Sequence, residues 1–198
     1  MTTVRRATSA DRDSVLATIL AAFHDDPAWD FLTGGDRERV APLFAGAVFD
    51  SRVERGTVWT TDDLRAVALW EWRDLGMTPH DGDSVWSAYR EAVGEDVWHR
   101  LEAYEKALDT MRPVPPYWYL GVLATHPASQ GRGLATAVIA PVLEMADHDH
   151  LDCWLETSKP DNLTFYERRG FGLRLPVEVP AGPPTWWCRR APSVRRPI

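Results

Sequence analysis

The stretch of the chain that most constrains its fold is a glycine-rich turn, QGRGLA at residues 130–135, set between two apolar segments. The segment before it, residues 118–124, is short and is followed by His126 and Pro127, which favours a buried strand over a helix. After the turn, apolar residues recur at steps of three and four, as on one face of a helix. These residues are Leu134, Val138, Ile139 and Val142. The sequence therefore predicts a strand, a glycine turn and a helix in succession.

A glycine turn at the start of a helix is a suitable place for an anion. The first N–H groups of a helix have no partner within it and carry partial positive charge. Gly131 and Gly133 lack a Cβ atom, so the backbone there can approach a phosphate closely and adopt positive φ angles. Arg132 adds a charged donor beside them. These residues predict a phosphate or pyrophosphate site, although a turn that only joins a strand to a helix would have the same pattern.

The remaining elements follow from periodicity and turn signals. Helices are predicted from residue 9 to 26, from near Pro42 to residue 55, from 84 to 111 with a break near Gly94, and from 161 to 169. Strands are predicted at residues 3–7, 57–61, 65–70, 151–156, 171–179 and 185–190. Residues 74–83, with two glycines and a proline, are predicted to be a loop.

Two ordered motifs resemble one known family. Gln130-x-x-Gly133-x-Ala135 after a strand is similar to the acyl-CoA pyrophosphate loop of the GNAT N-acetyltransferases, with Ala135 in place of the commoner second glycine. Residues 155–171, LETSKPDNLTFYERRGF, resemble that family's second cofactor motif, a strand and a helix that carry asparagine and tyrosine and end in Gly-Phe. They also closely resemble the puromycin N-acetyltransferase branch. Two motifs in the family's order are more specific than either alone.

The resemblance implies a fold and an activity. The fold is an α/β arrangement with a mixed, mostly antiparallel sheet flanked by helices, and residues 1–198 are expected to form one such domain. The activity is direct transfer of an acetyl group from acetyl-CoA to the primary amine of a small molecule. The branch resemblance points to an antibiotic or an aminonucleoside. Two alternatives remain open: acetylation of a peptide or protein, and a non-catalytic module that binds acyl-CoA.

The resemblance also assigns residues that would hold acetyl-CoA. Backbone groups of Leu123, Ala124 and Thr125, at the end of the first strand, would pair with the pantetheine arm like an added strand. An N–H near Leu123 would polarise the thioester carbonyl. The diphosphate would bind amides of the glycine turn and the helix start, at Gln130, Gly131, Arg132, Gly133, Leu134, Ala135 and Thr136.

Asn162 and Tyr166 complete the cofactor site that the resemblance implies. Asn162 would hydrogen-bond the cofactor arm, and Tyr166 would lie near the sulfur atom. A phenol keeps its proton at pH 7 and can therefore donate it to a departing thiolate. The two residues are four apart, which puts them on one face of a helix. The alternative is that Tyr166 only packs beside Phe165 and Phe171.

The acceptor site carries no diagnostic motif. In the family, the first helix and the loop after it form one wall of the acceptor cleft. The candidate substrate-binding residues there are His24, Asp25, Asp26 and Trp29. The alternative for the three polar residues is a capped helix end with solvated charges. Aromatic residues at helical spacing between residues 84 and 111 are expected to be core, or alternatively to line the acceptor pocket.

Transfer to an amine needs a neutral nucleophile and therefore a general base. Glu156 follows the second motif's strand, where it would act through a water molecule or, alternatively, hold a loop amide. His126, Glu71 and Asp26 are further candidates. The six histidines are scattered along the sequence, so no metal site is predicted.

Composition limits the class of protein. The net charge of −7 disfavours nucleic acid as a partner, because phosphate neutralisation dominates that affinity, and it is compatible with a cationic amine. No apolar run is long enough to predict a membrane span, and the first residues lack the apolar segment of a signal peptide. Two cysteines predict no disulfide scaffold, and Cys153 in a buried strand is expected to be inert. We expect a cytoplasmic monomer or homodimer.

Overall fold

A computed structural model describes residues 2–75 and 84–193 of the chain. In these ranges seven strands form one sheet in the order β1-β2-β3-β4-β5-β7-β6. They are β1 Val4–Arg6, β2 Val58–Thr61, β3 Ala66–Arg73, β4 Tyr117–Thr125, β5 Asp152–Thr157, β6 Leu173–Val177 and β7 Thr185–Arg190. Neighbouring strands are antiparallel except β4 and β5, which run parallel. The predicted mixed, mostly antiparallel sheet is confirmed.

Helices cover both faces of this sheet. They are α1 Arg12–Ala22, α2 Pro27–Thr33, α3 Arg37–Val53, α4 Ser84–Val93, α5 Glu95–Asp109, α6 Leu134–His148 and α7 Pro160–Glu167. Strand β3 shows why both faces need covering, since its successive side chains point to opposite sides. Val67 and Leu69 pack in the core with α1 and α3, whereas Ala68 and Trp70 pack in a second core with α6.

The parallel pairing of β4 with β5 extends only from Tyr117 to Tyr119, which lies opposite Trp154. Strand β4 continues to Thr125 along β3, so residues 120–125 turn one backbone edge toward an opening rather than toward β5. A bulge accompanies the divergence, because Val122 pairs with Leu69 while Leu120 pairs with Trp70. The sheet is therefore open between its two central strands.

Two helices differ from the sequence-based predictions. The first predicted helix ends at Ala22, and a separate helix, α2, begins at Pro27. Proline suits a first helical position, and Asp26 caps the helix by accepting hydrogen bonds from Ala28 and Trp29 N–H. Helix α3 begins at Arg37 rather than near Pro42. Burial of its apolar face outweighs the one backbone bond that proline removes.

The other boundaries agree to within a few residues, which is the ordinary spread of helix and strand ends. The break predicted near Gly94 separates α4 from α5. Most of the predicted loop at residues 74–83 lies outside the described residues.

Candidate active site

Two pockets adjoin where β4 and β5 diverge. The outer cleft contains about 1290 Å³ of empty space, part of it open to solvent, and lies between the end of β4, the start of α6 and α7. The inner pocket, about 910 Å³ measured in the same way, lies among α2, α3, α5, β4 and β5. Five residues line both and are named the junction: Phe23, Asp26, Leu123, Asn162 and Tyr166. Groups bound in the two pockets would meet there.

The glycine turn presents open backbone to the outer cleft. Gly131 and Gly133 have φ angles of 73° and 78°, and a Cβ atom built at either position would meet nothing within 4 Å. Gly133 is the N-cap of α6, which has no side-chain cap, and the Ala137 N–H bonds the Gly133 carbonyl at 3.1 Å. The N–H groups of residues 134–136 therefore have no carbonyl partner inside the helix and can bind an anion.

Most of the predicted cofactor residues line this one cleft. They are Leu123, Thr125, Gln130, Gly131, Gly133, Leu134, Ala135, Thr136, Asn162 and Tyr166. Ala124 and Arg132 are not among its lining residues. The Ala124 side chain is buried in the core on the other face of the sheet, because alternate strand residues point to opposite sides. Arg132 is exposed at the tip of the turn.

Two cations at the outer cleft were not assigned from the sequence. The Arg169 guanidinium lies 3.4 Å from the centre of the Phe165 ring, and its Nε donates to Thr136 Oγ1 at 2.9 Å. Lys159 Nζ lies 2.7 Å from Asp25 Oδ1 across the rim of the cleft. Arg169 stands inside the second sequence motif, so the motif alone could have nominated it. Lys159 could be placed only by the fold, since Asp25 is far from it in the sequence.

Tyr166 occupies the junction and is also a packing residue. It is 8% exposed, and its ring makes edge contacts with Phe165 at 5.3 Å and Phe171 at 5.9 Å. Burial raises the pKa of Tyr166 above its ordinary value, so the phenol stays protonated at neutral pH. Asn162 lies one helical turn earlier on α7 and donates a hydrogen bond from Nδ2 to Thr157 Oγ1 at 3.4 Å. The Tyr166 side chain therefore packs against its aromatic neighbours and also lines the junction of the two pockets.

Glu156 lines the inner pocket and has one hydrogen-bonded oxygen. The Tyr119 hydroxyl donates to Oε1 of Glu156 at 2.7 Å. Oε2 is buried and has no hydrogen-bond partner among the described residues. Burial raises the pKa of Glu156 to about 7, against a smaller lowering by the Tyr119 hydrogen bond. A carboxylate with a pKa near neutrality is suited to general base catalysis.

The predicted acceptor wall divides into two parts. Asp26 and Trp29 line the inner pocket and are 8% and 4% exposed. Burial raises the pKa of Asp26, while its Oδ1 accepts hydrogen bonds from two N–H groups at the start of α2. His24 and Asp25 lie outside the lining of both pockets, and Asp25 is paired with Lys159. Asp26 therefore both caps α2 and lines the inner pocket.

Two aromatic residues of α4 and α5 are both core and pocket wall. Trp86 and Tyr104 are each 4% exposed, and both line the inner pocket.

Two other candidates for the general base have hydrogen-bond or ion-pair partners of their own. Glu71 is bound by two arginines, and His126 accepts a hydrogen bond from the N–H of Ala128 at 3.3 Å.

These motifs and pockets agree with a sequence comparison. The acetyltransferase (GNAT) family model matches residues 59–171. The chain belongs to this family.

Relatives of this GNAT chain span most of its length. An uncharacterized N-acetyltransferase of Schizosaccharomyces pombe is 25% identical over 182 residues, 84% of this chain and 73% of that protein. A Corynebacterium glutamicum structure described as histone acetyltransferase HPA2 and related acetyltransferase has a TM-score of 0.66, 20% identity and 99% coverage of both chains. The Drosophila melanogaster polyamine N-acetyltransferase, which forms N-acetylagmatine, has a TM-score of 0.61 and 18% identity, covering 96% of this chain and 100% of that one. The structural likenesses show the GNAT fold.

Membership of the GNAT family makes the chain an N-acetyltransferase, and the family uses acetyl-CoA as cosubstrate. No group of three or more potential metal ligands occurs in residues 2–75 and 84–193. None of the helices described in those ranges is long and apolar enough to span a membrane. Cys153 and Cys188 are free and buried, and burial raises their pKa values to about 12 and about 11, so neither is an activated nucleophile.

Proposed function

We propose that this enzyme moves the acetyl group of acetyl-CoA directly to the primary amine of a small molecule. The observation that carries the proposal is the meeting of two pockets at Asn162 and Tyr166. One pocket has the open amides of a phosphate site, and the other has a buried carboxylate with a pKa near 7. A donor and an acceptor bound in these pockets would be neighbours, which removes most of the entropic cost of bringing two reactants together.

The outer cleft fits acetyl-CoA. The unpaired N–H groups at the start of α6 and the nearby Arg169 suit a diphosphate, and the empty space beside Gly131 and Gly133 allows close approach of its oxygens. The open edge of β4 at Leu123 and Thr125 suits an extended arm that bonds like an added strand. When bound, acetyl-CoA supplies the acetyl group as a thioester.

Two side chains supply the proton transfers. Glu156 Oε2, directly or through a water molecule, takes a proton from the attacking amine as the C–N bond forms. As the C–S bond breaks, the Tyr166 hydroxyl gives a proton to the thiolate sulfur. Exchange with solvent then returns the carboxylate and the phenol to their starting forms. A strand N–H near Leu123 stabilises the negative charge that develops on the carbonyl oxygen.

The shape of the inner pocket supports a small acceptor. Its aromatic walls include Trp29, Phe44 and Trp86, and helices close it on several sides, whereas an extended peptide needs an open groove. The polyamine N-acetyltransferase of the same fold acts on a small amine. An antibiotic or aminonucleoside is one member of this class, proposed from the resemblance to the puromycin N-acetyltransferase branch.

A turnover assay tests the proposal. Purified enzyme, acetyl-CoA and a panel of small primary amines would be followed by free-thiol release, with mass detection of the N-acetylated product. A lysine-containing peptide series serves as the competing acceptor class. Product from small amines and none from peptides is the expected result. Acetyl-CoA binding without turnover of any acceptor would instead support a non-catalytic acyl-CoA-binding module.

A further inference from the structure

Two buried arginines line the inner pocket and share a single carboxylate. Arg52 Nη2 and Arg73 Nη2 lie 2.9 Å and 3.0 Å from the same atom, Oε2 of Glu71. The exposed fractions of the three side chains are 6%, 5% and 15%. Within this group of three side chains, two guanidinium cations share one carboxylate in a place shielded from water.

Part of each guanidinium has no partner. Nε of Arg52 and Nε of Arg73 are buried without a hydrogen-bond partner in the described chain. Arg52 Nη1 is satisfied by the Val48 carbonyl at 3.0 Å, and the Arg73 guanidinium lies 5.5 Å from the centre of the Tyr119 ring. Buried donors and buried cations are costly when unpaired. Each guanidinium therefore has a hydrogen-bond donor that no described residue uses.

The other acidic groups of the pocket are engaged with different partners. Glu105 is bound by Arg112 at 2.7 Å, and Glu156 is bound by the Tyr119 hydroxyl. Asp26 lies at the junction, where it accepts two backbone hydrogen bonds. The two arginines line the inner pocket and are not among the residues that line the outer cleft. A ligand with its amine at the junction would thus direct a second polar group toward them.

We propose that Arg52 and Arg73 bind a carboxylate of the acceptor, so that the substrate is a primary amine that also carries a carboxylate on an aromatic or apolar body. Guanidinium groups bind carboxylates in a planar, two-pronged geometry, and such charge-assisted bonds are strong where water is excluded. The aromatic walls, with Trp29 and Phe44 ring centres 5.2 Å apart and Phe44 and Trp86 6.1 Å apart, suit the body of such a molecule. The inference rests on the proposed function and names its substrate class.

Matched pairs of amines test this inference on the unaltered enzyme. Each pair differs only in the carboxylate: tyrosine and tyramine, tryptophan and tryptamine, 6-aminohexanoate and pentylamine. The third pair sets a longer spacing between the two charged groups. We expect the carboxylate-bearing member of at least one pair to have a kcat/KM about tenfold or more higher, the effect of one charge-assisted hydrogen bond.

Variants separate carboxylate binding from a structural role. Arg73→Gln leaves the neutral Arg52–Glu71 pair in place, and it should raise KM for the carboxylate-bearing amine while KM for its partner stays unchanged. Arg73→Lys should recover part of the loss. The matched control is Arg12→Gln, which removes another arginine bound to a carboxylate, Asp50 at 2.8 Å, outside both pockets. Arg12→Gln should leave KM unchanged for both amines of a pair.

The outcomes distinguish the inference from the function on which it rests. If in every pair the amine without a carboxylate has a kcat/KM equal to or higher than that of its carboxylate-bearing partner, the carboxylate site is overturned. The acetyltransferase proposal would still stand. If Arg73→Gln lowers kcat/KM equally for both members of a pair, the two arginines have a structural role and do not bind the acceptor's carboxylate. Turnover of other small amines in the panel, but of neither member of any pair, would overturn the substrate class alone, whereas turnover of no amine at all would overturn both proposals.

Discussion

The Tyr119 hydroxyl and the Glu156 carboxylate form a 2.7 Å hydrogen bond that uses only one of the two carboxylate oxygens. The other oxygen, Oε2, is buried without a partner in the described chain. Burial raises the pKa of Glu156 to about 7, and the nearby Glu105 adds to the rise. The carboxylate is thereby both oriented by Tyr119 and basic enough to take a proton near neutral pH.

We predict that kcat at saturating substrates rises with pH through about 7, the pKa of Glu156, because the base must be unprotonated. Glu156→Gln should abolish this rise of kcat with pH and reduce kcat by about 10²-fold or more. Tyr119→Phe removes a hydrogen bond that lowers the pKa of Glu156, so in this variant the rise of kcat should move to higher pH. If kcat depends on pH in the same way in both variants and the original enzyme, the base lies elsewhere, and Asp26 is the next candidate.

The same pKa predicts how stability depends on pH. The folded-state pKa of Glu156 lies above its ordinary value of 4.5, so folding favours the protonated form. This stabilisation is complete below about 4.5 and is lost as the pH rises through about 7. The melting temperature of Glu156→Gln should therefore rise relative to the original enzyme across that interval. Parallel melting curves for the two proteins over this range would show that Glu156 titrates normally.

A third prediction separates the two neighbouring aspartates. Asp26→Asn keeps a good N-cap but removes the charge at the junction, so KM for a cationic amine should rise while KM for acetyl-CoA is spared. Asp25→Asn is the matched control for the amine, since Asp25 is absent from both pocket linings and its partner Lys159 lines only the outer cleft. Steady-state kinetics with each substrate varied decide this. Equal effects of the two changes on the amine would assign Asp26 to capping alone.

The residues that line the outer cleft could be predicted from the sequence because their signals are local. A glycine turn between a strand and a helix determines its own backbone, and the open amides around Gly131 and Gly133 follow from it. Asn162 and Tyr166 share a helix face for the same reason. The backbone role predicted for Ala124 stays a prediction, since strand alternation explains only why its side chain is absent from the cleft lining.

The inner pocket depends on contacts distant in the sequence, and it could not be predicted in the same way. The Arg52–Glu71 and Arg73–Glu71 pairs join α3 to β3 and require the sheet register. Helix α2 was missed because Pro27 was interpreted as the end of one helix, although it also begins the next. The pairing of Asp25 with Lys159 depends on loops that only the fold brings together.

A fourth prediction concerns the phosphate loop. Gly133→Val should weaken acetyl-CoA binding at least about tenfold, or about 1.4 kcal/mol, because a β-branched side chain fills the space open to a phosphate. The change also strains the backbone, since Gly133 has a φ angle of 78°. Gly94→Val, at another helix N-cap with a positive φ of 84° and open surroundings, controls for that strain. Calorimetric titration should show normal affinity in the control; equal affinities in the two folded variants would remove the diphosphate role.

The last prediction concerns Tyr166, whose hydroxyl is assigned to protonate the leaving thiolate. Tyr166→Phe keeps the ring and its edge contacts with Phe165 and Phe171 and removes only the hydroxyl. General acid catalysis contributes about 10²–10⁴-fold, so kcat should fall in that range while acetyl-CoA affinity is nearly unchanged. Tyr89→Phe, at a tyrosine that is 4% exposed and outside both pocket linings, is the matched control for loss of the hydroxyl of a buried tyrosine.

If Tyr166 serves only for packing, the two tyrosine variants should behave alike. Each would lose at most about 0.5–1.5 kcal/mol of stability, the contribution of one hydrogen bond, and keep its kcat. The two roles thus separate along different measurements, turnover for catalysis and melting temperature for packing. Pre-steady-state kinetics must show that chemistry limits kcat, because slow product release would conceal a lost proton donor. With chemistry limiting, a Tyr166→Phe enzyme that turns over at the original rate would refute the general-acid role.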